Sequence, residues 1–496
     1  MKAAAELVFI PCPGLGHLLS MVEMAKRLIA RDHRISITLL IMKLPMFDKS
    51  KVVSTTQSLL LTAANDRLKL VHLPQEDPAV LAGLLSKGPE NFILEFVKLN
   101  KPHVRDQVKK MMATESTELT ESSRLAGFVV DMFCTPMIDV AAELGLPTYA
   151  YFTSGCAYLS LHFHLETLHR DHNQDLAELK DSDAELRVPG FVNSVPAKVL
   201  PSMALSKEAG SEFFMDISSW LRGTEGILVN TFEELESYTL KCLAKDDKIP
   251  PIYPVGPVLH PVKEEVEEEE IHIMKWLDEQ PPSSVVFLCF GSMGAFEGDQ
   301  VREIAQGLEQ SKHRFLWSIR EPPLKGKIAI PGEYQDLSQV LPEGFLERTM
   351  KIGKVTGWAP QVAVLSHKAV GGFVSHCGWN SVLESLRCGV PIATWPMYAE
   401  QQLNAFQLVR ELGLAVEISL DYRKDINSGE SDFVTADKIE NGIRKMMENE
   451  HKSREEIKQK VKEISEKSKT AVEEGGSSYN YIGHFIEVVM TNAHSP

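Results

Sequence analysis

Strand-like apolar runs alternate with apolar-periodic helical runs along almost the whole chain, and that alternation leaves few folds open. Leu7–Pro11 reads as a buried strand. A tight PGLGH turn follows, then a helix from about Leu18 to Ala30 with Leu18, Met21, Val22, Met24, Ala25, Leu28 and Ile29 on one face. Ile35–Met42 is the next strand. Further strands read at Leu68–Leu73, Gly127–Asp131, Thr148–Phe152 and Gly226–Asn230, with helices over Asn91–Met112, Met137–Leu144 and Phe232–Leu243. A β-α-β beginning of this kind predicts a parallel sheet covered by helices.

The alternation stops at Pro250. Pro250–Pro261 carries five prolines and the acidic run KEEVEEEE follows, which reads as a stiffened, solvated linker over residues 250–270. Then βα units return. Strands fall at Val285–Phe290, Arg314–Ile319, Lys354–Thr356, Gly372–Ser375, Ile392–Trp395 and Ala415–Ile418. Helices fall at Ile271–Asp278, Asp299–Glu309, Pro360–Leu365, Asn380–Arg387, Gln401–Leu412, Thr435–Met447, Lys452–Thr470 and Tyr479–Met490. The fold class is α/β, with two doubly wound, Rossmann-like lobes and a cleft between them. Residues 1–249 form the first lobe and 271–470 the second, with a last helix in 471–496 packing back on the first. A chain of 496 residues is too long for one core and suits two. Neither lobe carries G-x-G-x-x-G after its first strand: PGLGH lacks the third glycine and the second lobe reads FGSMGAF, so a nicotinamide or flavin fingerprint is weak.

A formal charge of −16 argues against nucleic acid or an anionic membrane as partner, since both reward Lys/Arg surfaces. The seven cysteines are scattered without a C-x-x-C pair and read as reduced core thiols. The N-terminal apolar run, Leu7 to Ile10, is interrupted by Glu6 and too short for a signal core. No apolar run reaches the roughly 18 residues that span a bilayer. The expectation is a soluble, cytoplasmic monomer.

In a parallel sheet the loops at the carboxyl edge bind ligands. His17 lies in the turn after the first strand and Asp131 at the end of GFVVD, so both open onto one edge. A carboxylate on one ring nitrogen would fix the imidazole tautomer and let the other nitrogen take a proton from an acceptor hydroxyl. A capping histidine and a strand-end aspartate that never meet are the commoner outcome, and spacing alone favours that reading. In the second lobe Gly291-Ser292 follows a strand, and small residues there suit a phosphate, or form an ordinary βα loop. His376 ends a strand, with Asn380 and Ser381 at the next helix start, where the helix dipole also favours a diphosphate. Glu384, one turn on, suits a ribose diol. Trp358 either stacks on a base or is a core tryptophan. Glu400 and Gln401 offer a carboxylate and an amide to sugar hydroxyls. No Asp-x-Asp or His/carboxylate cluster suggests a divalent metal. The charge that offsets a leaving diphosphate is then expected from the helix dipole and His376. The histidines 162, 164, 169 and 172 read as surface or groove residues.

From WAPQ at Trp358 through HCGWNS and Glu384 to Glu400-Gln401, the chain closely resembles the secondary-product signature of plant family-1 UDP-glycosyltransferases, without gaps. GLGH, the VVD strand and the FGS loop extend the resemblance over the whole chain. The segment FVVDMFCTPMIDVAAELGLPTYAYFTS is similar to the branch acting on flavonoids, other phenolics and terpenoids. The resemblance implies a GT-B fold and inverting, metal-independent transfer from a UDP-sugar. It implies His17 as base and Asp131 as its partner. It puts Trp358 on uracil with Ala359 and Gln361 nearby, Glu384 on the ribose, and Ser292, His376, Asn380 and Ser381 on the diphosphate. Trp379, Glu400 and Gln401 face the sugar, with Thr153 reaching it from the first lobe. Gln401 at the last signature position goes with glucose. Two departures stand out: Ser20 replaces a proline that many relatives carry, and Glu400 replaces the commoner aspartate.

The reading is a UDP-glucose-dependent O-glucosyltransferase for a small lipophilic plant metabolite, flavonoid or phenolic first and terpenoid next, with no cofactor or metal. Met132, Phe133, Phe152, Ser154, Tyr158, Phe191 and Met203 are candidates for the acceptor wall, each as readily core when taken singly. The alternatives are a non-catalytic UDP-sugar-binding protein, which would lack the base, and a nucleotide-sugar epimerase, which would need no acceptor.

Overall fold

A computed structural model describes residues 5–44, 66–85, 89–117, 124–207, 209–260, 268–324, 329–424, 432–448 and 452–494. Among these, a first sheet has seven parallel strands. They are β1 (Ala5–Ile10), β2 (Ile35–Ile41), β3 (Leu68–His72), β4 (Arg124–Asp131) and β5 (Thr148–Phe152). After a short antiparallel pair, β6 (Glu185–Leu186) and β7 (Val195–Pro196), come β8 (Gly226–Val229) and β9 (Ile252–Pro254). The order across the sheet is β3-β2-β1-β4-β5-β8-β9. The second sheet has six parallel strands: β10 (Val285–Cys289), β11 (Arg314–Ser318), β12 (Gly353–Thr356), β13 (Val370–Ser375), β14 (Ile392–Thr394) and β15 (Ala415–Glu417). Its order is β12-β11-β10-β13-β14-β15.

Both sheets reverse direction of build at one point: between β1 and β4 in the first, and between β10 and β13 in the second. Loops leave that point toward opposite faces of the sheet and open a crevice at the carboxyl edge. Every residue of β1, β2 and β10 is buried, as the apolar runs require when helices cover both faces. Glu6, which broke the first run, is accommodated by the Thr38 hydroxyl, which donates to its Oε1 at 2.6 Å.

The structure departs from the expected elements in several places, among them unforeseen helices over Cys156–Arg170 and Ala209–Arg222. The helix expected over Asn91–Met112 is two, Pro89–Leu99 and Lys101–Thr117. Pro102 lacks an N–H and its ring collides with the carbonyl four residues back, so the first helix ends before it. Asn100 bridges the break: its Nδ2 donates to Phe96 O at 2.9 Å and its own carbonyl accepts from Val104 N. The helix expected over Gln401–Leu412 changes at Phe406 into a π turn, Gln407–Glu411. The proline-rich stretch is not all linker, because Ile252–Pro254 pairs with β8 as the outer strand of the first sheet. An edge position tolerates prolines, since one side of the strand needs no ladder donor. Residues 261–267, most of the acidic run, lie outside the described residues.

The last helix, Ser477–His494, crosses back onto the first lobe and buries Ile482, Phe485, Ile486 and Val489 among β1, β2 and β4 side chains. Phe485 meets Tyr149 edge-on at 5.0 Å and Tyr253 at 5.6 Å, and Asn492 Nδ2 donates to the Tyr149 hydroxyl at 2.7 Å. Phe485→Ala is expected to cost the first lobe about 3–5 kcal/mol, the range for removing an enclosed ring. Urea unfolding followed by tryptophan fluorescence checks this; a loss under about 1 kcal/mol would mean that the helix is not part of that core.

Candidate functional site

The two carboxyl edges face each other. The first contributes the turn after β1 and the end of β4, neighbours at the reversal point. His17 Nδ1 lies 2.9 Å from Asp131 Oδ2, across 114 residues of sequence. Asp131 is fully buried, and its Oδ1 accepts from Phe133 N at 3.0 Å, which fixes the carboxylate. Thr153 Oγ1, just past β5, also lies 2.9 Å from His17 Nδ1. With Nδ1 carrying the proton toward Asp131, Nε2 keeps its lone pair. The ring is still 28% exposed, so that nitrogen can be reached. Burial is the largest influence on His17 and opposes its charge. The charge and hydrogen bond of Asp131, with the charge of Glu400, outweigh it and raise the imidazole above 6.5.

Helix Leu15–Arg31 starts inside this turn and carries Ser20 on its buried side. Ser20 Oγ and the Tyr151 hydroxyl are 2.7 Å apart. The serine therefore makes a buried hydrogen bond that proline would not, and His17 stays within reach of Asp131.

In the second lobe, His376 sits between two glycines. A Cβ on Gly291 would lie 2.7 Å from its Nε2 and one on Gly378 2.5 Å, so both positions admit only glycine at this separation. Gly291 also has φ +73°, a conformation glycine adopts freely. Burial pushes His376 down to about 4. Burial thus works against the positive charge expected of this ring. The ring offers a hydrogen bond instead, and its Nδ1 is enclosed with no partner. The Oδ1 of Asn380 is likewise buried without one. Both atoms stand at the start of helix Trp379–Cys388, where free N–H groups attract an anion. Ser292 lies beside Gly291 in the facing loop after β10.

Gln361 joins the next pair. Its Nε2 donates to Ser381 Oγ at 2.8 Å and to Glu384 Oε2 at 2.7 Å. Burial pushes Glu384 up to about 7, held back by that amide. Trp358 is 38% exposed at the end of β12, with Ala359 buried behind it. The Arg320 guanidinium covers the indole at 5.4 Å, and Arg320 Nε donates to Gly332 O at 3.0 Å. Arg320 was not among the expected residues; its place just past β11 was the available signal.

At the loop after β14, Gln401 Oε1 accepts from Met397 N and Tyr398 N at 2.9 and 3.1 Å, so the amide nitrogen is the part left for other contacts. Burial raises Glu400, opposed by its own N–H, the charge of His17 and the Trp379 N–H. The Trp379 side chain does not face this space. Its indole N–H donates to Asn230 O at 2.7 Å, and the ring packs where a Cβ on Gly155 would lie 2.8 Å away. Trp379 thus presents its backbone N–H, not its indole, toward Glu400. The indole ties the lobes together, as does Asn380 Nδ2, which donates to Gly16 O at 3.4 Å.

Among the acceptor-wall candidates, Phe133 lies against His17 at 5.2 Å between ring centroids and also faces Phe213. Ser154 Oγ is buried without a partner. Tyr158 contacts Phe152 and His162, and Met132 is buried near them. Phe152 is fully enclosed and belongs to the core, so it is not a wall residue in this state. Phe191 and Met203 sit farther round, on the first-lobe segment that meets the second lobe. His162 stacks on Phe214 at 3.8 Å and burial pushes it down to about 3, which makes it core, not surface. A void of about 500 Å³ lined by Arg124, Leu146, Glu225 and Asn492 lies at the opposite, amino edge, away from all these groups.

The family described as UDP-glucoronosyl and UDP-glucosyl transferase matches residues 267–453. A UDP-glucose flavonoid 3-O-glucosyltransferase of Fragaria ananassa is 52% identical over 500 residues, covering 99% of this chain and all of that one. A UGT transferase of Siraitia grosvenorii, solved with UDP, superposes with a TM-score of 0.85 at 45% identity over 98% of this chain and 100% of its own. UGT71G1 of Medicago truncatula, solved with UDP-glucose, gives 0.81 at 42% identity over 98% of each chain. The two facing sheets are thus the GT-B fold, and this chain belongs to the UDP-glycosyltransferase family and is an enzyme of that class.

Proposed function

We propose that this enzyme transfers glucose from UDP-glucose to a hydroxyl of a small, largely apolar plant metabolite, with inversion at the anomeric carbon. Flavonoids and related phenolics are the first acceptor class and terpenoids the second. The observation that carries the proposal is the His17–Asp131 pair at 2.9 Å, opening from one lobe onto the start of helix Trp379–Cys388 in the other.

Uracil would stack on the exposed Trp358 indole, and the ribose hydroxyls would donate to Glu384. The diphosphate would lie at the N–H groups of the helix start, beside His376, Asn380, Ser381 and Ser292. Glu400 and the Gln401 amide would hold glucose hydroxyls. Nε2 of His17 takes the acceptor proton as the oxygen attacks the anomeric carbon. The C–O bond to UDP breaks on the opposite face, and Asp131 stabilises the imidazolium. The helix dipole and neutral donors meet the charge that builds on UDP, so the proposal needs no metal.

The name of the 52% identical relative supports a flavonoid acceptor, and the aromatic surroundings of His17 (Phe133, Phe213) suit a flat phenolic. A panel of flavonols, simple phenols and triterpenes with UDP-glucose in EDTA, read by mass spectrometry, tests it. Glucosides of the aromatic acceptors are expected. UDP release with no acceptor product, or activity abolished by EDTA, would overturn it.

A further inference from the structure

One face of the segment Gln401–Glu411 is driven into the first lobe. Leu403 and Phe406 belong to the first-lobe core, at the spacing of a single helical stripe with Gln407 and Glu411. Gln407 Nε2 donates to Glu236 Oε1 at 2.8 Å. Glu236 in turn accepts from the N–H groups of Cys156 and Ala157, both at 2.8 Å, and so caps the helix that carries Tyr158. At the far end Glu411 holds a bend of the first lobe. Its Oε2 accepts from Val192 N at 2.7 Å, and its Oε1 accepts from Asn193 N at 3.0 Å and Asn193 Nδ2 at 2.7 Å. Farther along the second lobe, Arg423 grips the same segment. It donates to Ser202 Oγ at 2.6 Å, Lys198 O at 2.7 Å and Leu200 O at 2.5 Å.

The two anchors bracket residues 192–202, and Phe191 and Met203 stand at the two ends of that stretch. Phe191 packs its ring 6.2 Å from Phe406. Four of the six bonds made by Glu411 and Arg423 go to backbone atoms and one partner is charged in each, so they fix where the chain runs. We propose that Glu411 and Arg423 are positioning residues for acceptor recognition. They pin the 191–203 segment onto the donor lobe, so that the second lobe sets the shape of the acceptor groove and which hydroxyl reaches His17. The inference rests on the acceptor reading given under Proposed function.

The test uses the full-length enzyme with UDP-glucose and a flavonol bearing several hydroxyls. Glu411→Ala and Arg423→Ala are expected to raise the acceptor KM about 5- to 20-fold and to change the ratio of positional glucosides, while the UDP-glucose KM stays within about twofold. Glu411→Gln keeps one acceptor oxygen and is expected to fall between wild type and Glu411→Ala. Folded variants with unchanged acceptor KM and product ratio overturn the proposal, as does an equal rise in both KM values. Should either alanine variant fail to fold, Asn193→Ala removes only an exposed amide and carries the same expectation in smaller measure. Hydrogen exchange at Val192 and Asn193 reads the anchor without turnover. Faster exchange in Glu411→Ala supports it, and an unchanged rate overturns it. A wild-type enzyme that makes no glucoside overturns the function instead, with the anchor judged by exchange alone.

Discussion

His17→Ala is expected to lower kcat roughly 10²- to 10⁴-fold, the range for losing a positioned general base, with UDP affinity within about twofold of wild type. The split follows from the geometry: His17 sits on the first lobe, beside Asp131 and Thr153, and the proposed UDP contacts are on the second. The pH profile gives an independent reading. A base must be neutral to act, and Asp131 and Glu400 raise His17 above 6.5 against the opposing effect of burial. Activity is therefore expected to fall as pH drops through a value above 6.5. Asp131→Asn removes the largest of the raising influences, so it should move that limb to lower pH. It should also lower kcat, because an amide no longer fixes the imidazole tautomer. Stopped assays across the pH range check both. A His17→Ala enzyme with undiminished turnover would remove the base from the mechanism.

The second large effect is expected on donor binding. Trp358→Ala should weaken UDP by about 1–3 kcal/mol, the worth of an aromatic stacking platform for one base. Glu384→Ala should weaken it by about 1.5–3 kcal/mol, as expected for hydrogen bonds to a charged group. Neither change should alter acceptor KM. The two groups differ physically. Trp358 is 38% exposed with the Arg320 guanidinium over its ring, so its loss removes contact area. Glu384 is enclosed and raised to about 7, and the ribose hydroxyls would draw it toward the ionised form. Titration calorimetry with UDP measures both. If Trp358→Ala binds UDP as tightly as wild type, the base lies elsewhere.

Much of the candidate site was legible because loops at the strand ends of a parallel sheet are where ligands commonly bind. His17, Asp131, Ser292, His376 and Glu400 were each found by that rule, and both sheets place the first four at the point where strand order reverses. Side-chain direction was not legible. The Trp379 indole turns to Asn230, and Phe152 turns inward, because the neighbouring lobe and core fill the space beside them. Charge state was not legible either. His376 lies at a helix start that suits an anion, yet enclosure between Gly291 and Gly378 works against its positive charge. The prolines around Ile252–Pro254 disguised an edge strand as linker, since a local rule cannot tell an outer ladder from none.

By itself the sequence determined the alternation of strand and helix, the two lobes, and the residues standing at each carboxyl edge. Those follow from periodicity and spacing, which are local. Only the tertiary structure decided that His17 meets Asp131 across 114 residues, and that Glu236, Gln407, Glu411 and Arg423 tie the lobes together. Such contacts depend on how two sheets dock, and spacing along the chain does not encode distance through space.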